Sequence, residues 1–281
     1  MMAGIRDLES QAGSRKVLAP EDKERWIRKL GEARAGLAPS DVEPAATYYM
    51  GFDRSTYPGD ATMDTWFLYS PLFWCGFYLA PAPDHSNTGW MSKRQVLHNQ
   101  GWGLAVIYVG RQPGWTGLTA ANGRADAQNA STLAQQASIK LGAYLFFDVE
   151  TGGTLPSNFM TYLTAWANEI YANTPYLPAF YCSHSQSASQ IKSAIGTLPS
   201  KFWVWNLSCP PSPGCTFNVA PPNPTGSGYA GASVWQYAQS PKPSGTSGCT
   251  GYTGSTCTQT IQGISLTVDC DTATTSDPSN G

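Results

Sequence analysis

The chain carries little charge and few of the residue types on which much enzyme chemistry depends. Only 13% of its 281 residues are charged, the formal net charge is −2, and there are three histidines. Without a basic excess, the chain has no electrostatic basis for binding nucleic acid or an anionic membrane surface. The histidines are not paired at metal-ligand spacing, which argues against a histidine-based zinc site.

Several motifs are also missing. There is no glycine loop of the Walker type, no G-x-S-x-G elbow for a serine nucleophile, and no glycine fingerprint of a dinucleotide-binding sheet. No run of about 18 apolar residues predicts a membrane span. The charged N-terminus lacks the apolar core of a signal peptide. We therefore expect a protein that uses no cofactor and does not span a membrane.

Cysteine is present seven times but never in a C-x-x-C pair, which argues against a zinc ribbon. Cys209 and Cys215 bracket one loop rich in Gly, Pro and Ser, and Cys249 and Cys257 bracket another, so we predict two local disulfides. Disulfides indicate an oxidising location, extracellular or in the cell envelope. Buried free thiols are the alternative. The other three cysteines lie on predicted strands, where cysteine behaves as a small hydrophobic residue: Cys75, Cys182 and Cys270.

Charge is concentrated at the N-terminus, where residues 1–45 hold 16 of the 36 charged side chains. Pro20, followed by two acids, suits a helix start, and apolar residues then recur at helical spacing. We predict that residues 1–45 form a charged helical extension and residues 46–281 a separate domain. The apolar stripe of the extension covers the domain itself, another copy of the chain, or a carrier such as a phage-tail-like or injection particle.

Strand and helix patterns alternate from residue 46 onwards. The predicted strands cover residues 47–53, 73–79, 103–109, 143–149, 177–182, 202–206, 232–237 and 264–270. The predicted helices cover residues 60–70, 91–100, 123–140, 157–173 and 185–195. Five βα units followed by three strands indicate an α/β fold, a TIM-like (β/α)8-type barrel without its late helices. An open doubly wound sheet is the competing topology.

The most informative segment runs from Tyr144 to Glu150, an apolar stretch that ends in two carboxylates. Side chains two apart on a strand point the same way, so Asp148 and Glu150 are expected to share one face. Placing two like charges together in an apolar setting raises the pKa of one of them. Glycosidases need such an arrangement, with one protonated carboxyl group beside an ionised one. The alternative is an ordinary strand whose acids turn into solvent.

Acids also end the first and last predicted strands, at Asp53 and at Asp269 with Asp271. In a closed barrel the first and last strands are neighbours, so these acids are expected near the other two. Aromatic residues near most other strand ends are candidates for a groove wall that packs on sugars: Tyr78, Tyr108, Tyr181, Trp205, Trp235 and Tyr237.

Several of these segments together resemble the bacterial glycoside-hydrolase-like domain of uncharacterised function, which is similar to the family 25 lysozymes. The likeness spans roughly residues 46–272 and rests on the order and spacing of five short segments: Gly51-Phe52-Asp53, Gly101-Trp102-Gly103 with Tyr108-Val109-Gly110, Phe147-Asp148-Val149-Glu150, Trp235-Gln236-Tyr237 and Val268-Asp269.

The resemblance implies a modified barrel of five βα units and three strands, with a groove for peptidoglycan or a related glycan. It implies that Glu150 is the general acid, supported by Asp148, Asp53 and Asp269. The last strand departs from the Asp-x-Asn of family 25, because Asp271 stands in the Asn position and makes the supporting carboxylate ambiguous.

Two functions remain open at this stage, a cell-wall glycan hydrolase and a carbohydrate-binding or structural barrel without turnover. In the hydrolase, a desolvated Glu150 donates its proton to the glycosidic oxygen, while ionised Asp148 steadies positive charge or orients the N-acetyl group of the substrate. We predict no metal ion at the site, although clustered carboxylates also suit Mg²⁺ or Ca²⁺.

Overall fold

The computed structural model describes residues 48–217, 220–244, 246 and 248–281. The predicted extension, residues 1–45, lies outside the described residues and stays a prediction. The α-helices of this part of the chain are α1 (Asp60–Tyr69), α2 (Arg94–Gln100), α3 (Ala120–Gln136), α4 (Ser157–Asn173) and α5 (Ser185–Ile195). The first six strands are β1 (Tyr49–Asp53), β2 (Leu72–Tyr78), β3 (Gly103–Tyr108), β4 (Tyr144–Val149), β5 (Leu177–Cys182) and β6 (Lys201–Trp205). The remaining strands are β7 (Val234–Ala238), β8 (Thr258–Ile261), β9 (Ile264–Thr267) and β10 (Asp269–Ala273).

Eight of these strands close into a barrel in the order β1-β10-β7-β6-β5-β4-β3-β2. A helix follows each of the first five strands, as the sequence predicted. The remaining two strands, β8 and β9, form a separate antiparallel hairpin. The TIM-like barrel is therefore confirmed, and among the described residues no α-helix follows β6 or β7, as the sequence indicated.

The last barrel strand differs from the prediction in both position and direction. A single strand was predicted over residues 264–270, but β9 ends at Thr267 and β10 begins at Asp269. Strand β10 is antiparallel to both of its neighbours, β1 and β7, so the barrel is mixed. Asp269 reaches the end where the parallel strands finish because it starts a reversed strand. It does not end a parallel strand.

Alternation along the strands separates an inner from an outer layer of side chains. The barrel interior is filled largely by aromatic rings, with Trp203 packed edge-on against Trp74 and Phe146 at centroid distances of 5.6 and 5.8 Å. A β carbon on Gly51 would lie 2.2 Å from the Trp74 ring, so glycine at this position leaves room for the indole. These rings form the floor below the upper end of the barrel.

The outer layer packs against the helices, of which α4 shows the sequence logic most clearly. Phe159, Leu163, Trp166 and Ile170 recur at helical spacing and are fully buried. Each such side chain contributes roughly 1.5–3 kcal/mol to the free energy of unfolding through removal of apolar surface from water. Gly123 lets α3 approach closely, because a β carbon there would lie 2.4 Å from a carbonyl oxygen of α4.

The four loop cysteines form two disulfides, but their pairing differs from the prediction. Cys209 pairs with Cys249, and Cys215 pairs with Cys257, so each bridge joins the two loops and neither closes a single one. The prediction of two local disulfides is therefore wrong, although the choice of cysteines is right. The three cysteines on strands are buried and lie outside both disulfides, as expected. Within the described residues, no helix has the length and hydropathy required to cross a membrane.

Candidate active site

The acids that end β1 and begin β10 face each other at the end of the barrel where the parallel strands finish, which we call the mouth. Asp53 and Asp269 are paired in the register of the two antiparallel strands. The amide nitrogen of Gln236 on β7 donates to Asp53 Oδ2 at 2.9 Å and to Asp269 Oδ2 at 3.3 Å. The hydroxyl group of Tyr78 donates to Asp53 Oδ1 at 2.7 Å. One glutamine thus holds two carboxyl groups that lie more than 200 positions apart in the sequence.

Gly76 on β2 makes room for this arrangement. A β carbon at Gly76 would lie 2.7 Å from the β carbon of Asp53, so any larger residue there would displace the carboxyl group. The amide backbone of Ser240 donates to Asp269 Oδ1 at 2.7 Å and fixes that side chain from the opposite side. Both acids are therefore positioned by the backbone and by neutral donors.

Asp148 and Glu150 lie at the end of β4, where the sequence predicted them. Asp148 is 7% exposed and lies within the strand, whereas Glu150 follows the strand and is exposed. The side chain of Gln112 links the backbone of both residues: its amide nitrogen donates to the Asp148 carbonyl at 2.8 Å, and its carbonyl oxygen accepts from the Glu150 N–H at 3.2 Å. The two carboxyl groups are thus held at different depths of one mouth.

Burial raises the pKa of Asp148 well above its ordinary value, and the charge of Glu150 adds to the effect. Burial also raises the pKa of Glu150, with the charges of Asp53 and Asp84 adding to it, but the hydrogen bond with Asp148 opposes that rise. The Oδ1 atom of Asp148 is buried and has no hydrogen-bond partner among the described residues. In the free protein both carboxyl groups therefore favour the protonated form more than a free carboxyl group does.

Burial likewise raises the pKa of Asp269 well above its ordinary value, and the charge of Asp53 contributes. The pKa of Asp53 is raised by burial against the lowering effect of its hydrogen bonds from Tyr78 and Gln236. Two ion pairs occur in the described part of the chain, Lys93–Asp60 and Arg111–Asp126. Neither involves an acid of the mouth, so no cation offsets their mutual repulsion there.

The four predicted catalytic acids converge on a single cavity of about 80 Å³. It is lined by Asp53, Tyr78, Ile107, Asp148, Glu150, Tyr181, Trp203, Gln236, Gln239 and Asp269. A larger open groove, of about 600 Å³, lies between α3 and α4. Its lining includes one carboxylate, that of Glu169, so it lacks the paired acids that the chemistry requires.

Asp271 lies below this cavity and does not line it. Its side chain is fully buried inside the barrel, and Trp203 Nε1 donates to its Oδ1 at 3.0 Å. Burial raises the pKa of Asp271 well above its ordinary value. The prediction that Asp271 contacts substrate is therefore wrong, because its carboxyl group is fully buried below Asp53 and does not line the cavity.

The predicted aromatic wall divides into two groups. Tyr78 and Tyr181 line the cavity, and their hydroxyl groups donate to Asp53 and to Gln236 Oε1, the latter at 2.6 Å. Trp205 lies on the same face of β6 as Trp203, near the mouth, and is half-buried.

Three other predicted wall residues point away from the barrel interior and are at most 1% exposed: Tyr108, Trp235 and Tyr237. The Tyr108 hydroxyl group donates to Asn129 on α3, and the Trp235 indole donates to the backbone of Asn206. The Tyr237 hydroxyl group donates to the Thr216 carbonyl. Their assignment to the groove wall is therefore wrong.

Sequence reasoning missed the amide side chains of the site, above all Gln112 and Gln236. A signal for Gln236 was present: a polar residue between Trp235 and Tyr237 on a buried strand must point away from both, into the barrel. Asp84 was missed too, and its charge raises the pKa of both Asp148 and Glu150. No local pattern marks Gln112 or Asp84, which lie in loops between strand and helix.

The cysteine side chains do not favour metal binding. Within the described ranges, one group of three potential ligand side chains lies close enough to share an ion: Cys215, Cys257 and Cys270. Two of these cysteines are joined in a disulfide, which leaves a single thiol and no thiolate set for an ion.

The family model described as "Rv2525c-like, glycoside hydrolase-like domain" matches residues 65–212, more than half of the chain. The chain belongs to this family. The matched region includes Asp148, Glu150 and Gln112, and it confirms the resemblance that the sequence segments indicated. No curated protein matches the chain.

Solved structures share the fold of this Rv2525c-like domain at low sequence identity. An uncharacterized B. stearothermophilus protein is 19% identical, with a TM-score of 0.53 over 80% of this chain and 95% of the other. The catalytic domain of endolysin ply40, from bacteriophage P40 of Listeria monocytogenes, is 11% identical, with a TM-score of 0.52 over 82% and 94%. GHIP of Streptococcus pneumoniae, a glycosyl hydrolase 25, is 12% identical, with a TM-score of 0.52 over 79% and 86%. These similarities support a barrel of the family 25 type.

Proposed function

We propose that this Rv2525c-like domain hydrolyses glycosidic bonds in peptidoglycan or a related cell-wall glycan by carboxylate acid/base chemistry. The observation that carries the proposal is the convergence of Asp53, Asp148, Glu150 and Asp269 on one cavity in a domain with few charges. Carboxyl groups with raised pKa values in a cleft are typical of acid/base sites. Fold alone does not imply activity, so the proposal depends on these side chains.

Glu150 is the proposed general acid because it is the exposed member of the Asp148–Glu150 pair and can contact a glycosidic oxygen. In the free protein burial raises the pKa of both carboxyl groups, so the pair holds a shared proton more readily than isolated acids do. A sugar that covers Glu150 excludes water from it and favours its protonated form. Asp148 then becomes the carboxylate that steadies positive charge at the sugar carbon or orients an N-acetyl group. Asp53 and Asp269, held by Gln236, tune this pair or bind the sugar.

Relatives by fold support the choice of substrate class. Ply40 is an endolysin, and the autolysin LytC of Streptococcus pneumoniae was solved with a synthetic peptidoglycan ligand, at a TM-score of 0.50 and 14% identity to this chain. The two disulfides are consistent with action outside the cell or in its envelope. Rv2525c of Mycobacterium tuberculosis, described as Tat-secreted, has a TM-score of 0.50 and 12% identity.

A carbohydrate-binding or structural barrel without turnover is the second candidate, and the size of the cavity favours it. Small-molecule sites usually enclose roughly 300–1,000 Å³, whereas the acids here surround about 80 Å³. A sugar ring therefore has to lie over the mouth and not inside it. Cleavage then requires the exposed Glu150 carboxyl group to reach the bond from below.

The test compares Glu150→Gln with Glu169→Gln, a matched change at a half-buried glutamate of α4 that lies away from the mouth. We expect Glu150→Gln to lower the release of reducing ends from purified peptidoglycan by about 100-fold or more, because it removes the proton donor. Its binding to insoluble peptidoglycan should be retained. Glu169→Gln should behave as the wild type in both assays. Unchanged cleavage in Glu150→Gln would refute the role of the acid, and binding without cleavage by the wild type would favour the second candidate.

A further inference from the structure

Three large hydrophobic side chains are exposed among the described residues: Trp115 at 40%, Leu141 at 66% and Tyr171 at 47%. Leu141 precedes β4 and Tyr171 lies in the last turn of α4, which places both at the end of the barrel opposite the acids. Trp115 lies in the loop between β3 and α3, at the end where the parallel strands finish. It is therefore the one exposed large hydrophobic residue of this set on the side of the mouth.

The loop that carries Trp115 is attached directly to the paired acids. The backbone N–H of Trp115 donates to the carbonyl of Gln112 at 3.1 Å, which closes a tight turn. The side chain of Gln112, 8% exposed, is bonded in turn to the backbone of Asp148 and Glu150. Two hydrogen-bonded steps therefore connect the indole-bearing residue to the proposed general acid.

A second anchor fixes the same loop to the helix layer. Arg111 Nε donates to Asp126 Oδ2 on α3 at 2.9 Å. The Tyr162 hydroxyl group on α4 donates to the same Asp126 oxygen at 2.6 Å. A loop held on both sides presents its exposed ring in a fixed place, which lowers the entropy lost when a ligand packs on it.

We propose that Trp115 is a binding platform for a sugar ring next to the one cleaved at Glu150. The flat apolar face of a pyranose ring, formed by its C–H groups, packs on an indole face, while its hydroxyl groups stay in water. A ring held there continues the glycan chain across the mouth, above a cavity too small to enclose it. This inference rests on the proposed glycan-directed function and names a contact that the buried residues Tyr108, Trp235 and Tyr237 cannot make.

Binding of chitotetraose, a soluble oligomer of N-acetylglucosamine, tests the platform by calorimetry, without any need for turnover. We expect Trp115→Ala to raise the dissociation constant by about tenfold or more, because the sugar ring no longer buries its apolar face against an aromatic ring. Trp115→Phe should retain part of the affinity, and Trp115→Leu should lose most of it, because leucine keeps the hydrophobicity but not the flat ring. Tyr171→Ala, an equally exposed aromatic at the opposite end, should bind as the wild type. Circular dichroism and melting curves establish that each variant is folded.

The possible results separate this inference from the proposed hydrolysis. Affinity unchanged in Trp115→Ala, or equal losses in Trp115→Ala and Tyr171→Ala, would overturn the platform whatever the activity of the wild type. Affinity that depends on Trp115 in a protein that cleaves nothing would support the platform and overturn the hydrolase. Absence of any chitotetraose binding by the wild type would contradict the platform.

Discussion

The two ends of the barrel differ in the partners that their buried acids have. At the lower end, the carboxyl group of Asp277 accepts hydrogen bonds from the N–H groups of Leu104 and Gly281. Burial raises the pKa of Asp277, but these two hydrogen bonds and the charge of nearby Lys201 oppose the rise. The Lys201 ammonium group donates to the Pro278 carbonyl. At the mouth, Asp148 has a buried oxygen without a partner in the described part of the chain, and other acids surround it.

The difference indicates that the lower end is built for stability and the mouth for chemistry. The C-terminal segment closes the barrel floor, with Ser279 bonded to the backbone of both β3 and β4. Its polar groups are satisfied, as buried polar groups in native proteins usually are. The mouth holds several acids close together without a cation, which lowers the stability of the fold. Such a loss of stability is typical of functional sites.

The largest effect on stability is expected from Asp277→Ala at the lower end. The change leaves the N–H groups of Leu104 and Gly281 without an acceptor, and hydrogen bonds to a charged group are each worth about 1.5–3 kcal/mol. We expect the free energy of unfolding in guanidinium chloride to fall by about 2–3 kcal/mol. Asp64→Ala, at an exposed aspartate of α1, is the control and should change it by less than about 0.5 kcal/mol. Equal effects of the two changes would remove the contrast between the two ends.

At the mouth, we expect Asp148→Asn to raise the free energy of unfolding. The carboxyl group titrates near its ordinary value of 3.8 in the unfolded chain and at higher pH in the native state. Between these two values the native state binds more protons, so its stability falls as pH rises through that window. The amide has no proton to lose, and we expect a gain of about 1–2 kcal/mol near neutral pH. Measured from pH 4 to 8, the melting temperature of the variant should depend less on pH than that of the wild type and should exceed it near neutral pH. A lower melting temperature of the variant at neutral pH would contradict this explanation.

The smallest effect is expected for Tyr181→Phe, which removes the donor to Gln236 Oε1 and leaves that buried oxygen unpaired. A cost of about 1 kcal/mol to stability follows from a single lost hydrogen bond. Tyr171→Phe removes an exposed hydroxyl group from the same residue type and should cost nothing measurable. Chemical denaturation of both variants checks the difference, and equal stability of the two would show that the Gln236 bridge does not depend on Tyr181.

The sequence predicted the fold well where periodic patterns are long and local. Helices α4 and α5 and strand β5 have the predicted bounds, because their buried residues recur at clear helical or strand spacing. The direction of β10 could not be predicted in this way. A strand has the same pattern in both directions, and only the β8–β9 hairpin and the partners of β10 decide how it enters the barrel.

The acids of the site were predictable because strand ends gather at one end of a barrel. The aromatic wall was not, because local pattern alone does not show which face of a strand each ring occupies. Register decides this: Tyr108 is paired with Phe147, which faces outward because its neighbour Asp148 faces inward. The pairing of the disulfides was predicted wrongly for a related reason, because the four cysteines pair across two loops that are adjacent only in three dimensions.

The central claim is that the mouth acids deliver a proton to a glycosidic bond, and the most direct measurement is reducing-end release from purified peptidoglycan across a range of pH. We predict turnover by the wild type that declines on the alkaline side, as the Asp148–Glu150 pair loses its shared proton. The Glu150→Gln variant should show no turnover at any pH. No release by the wild type at any pH, or turnover that persists in Glu150→Gln, would contradict the claim.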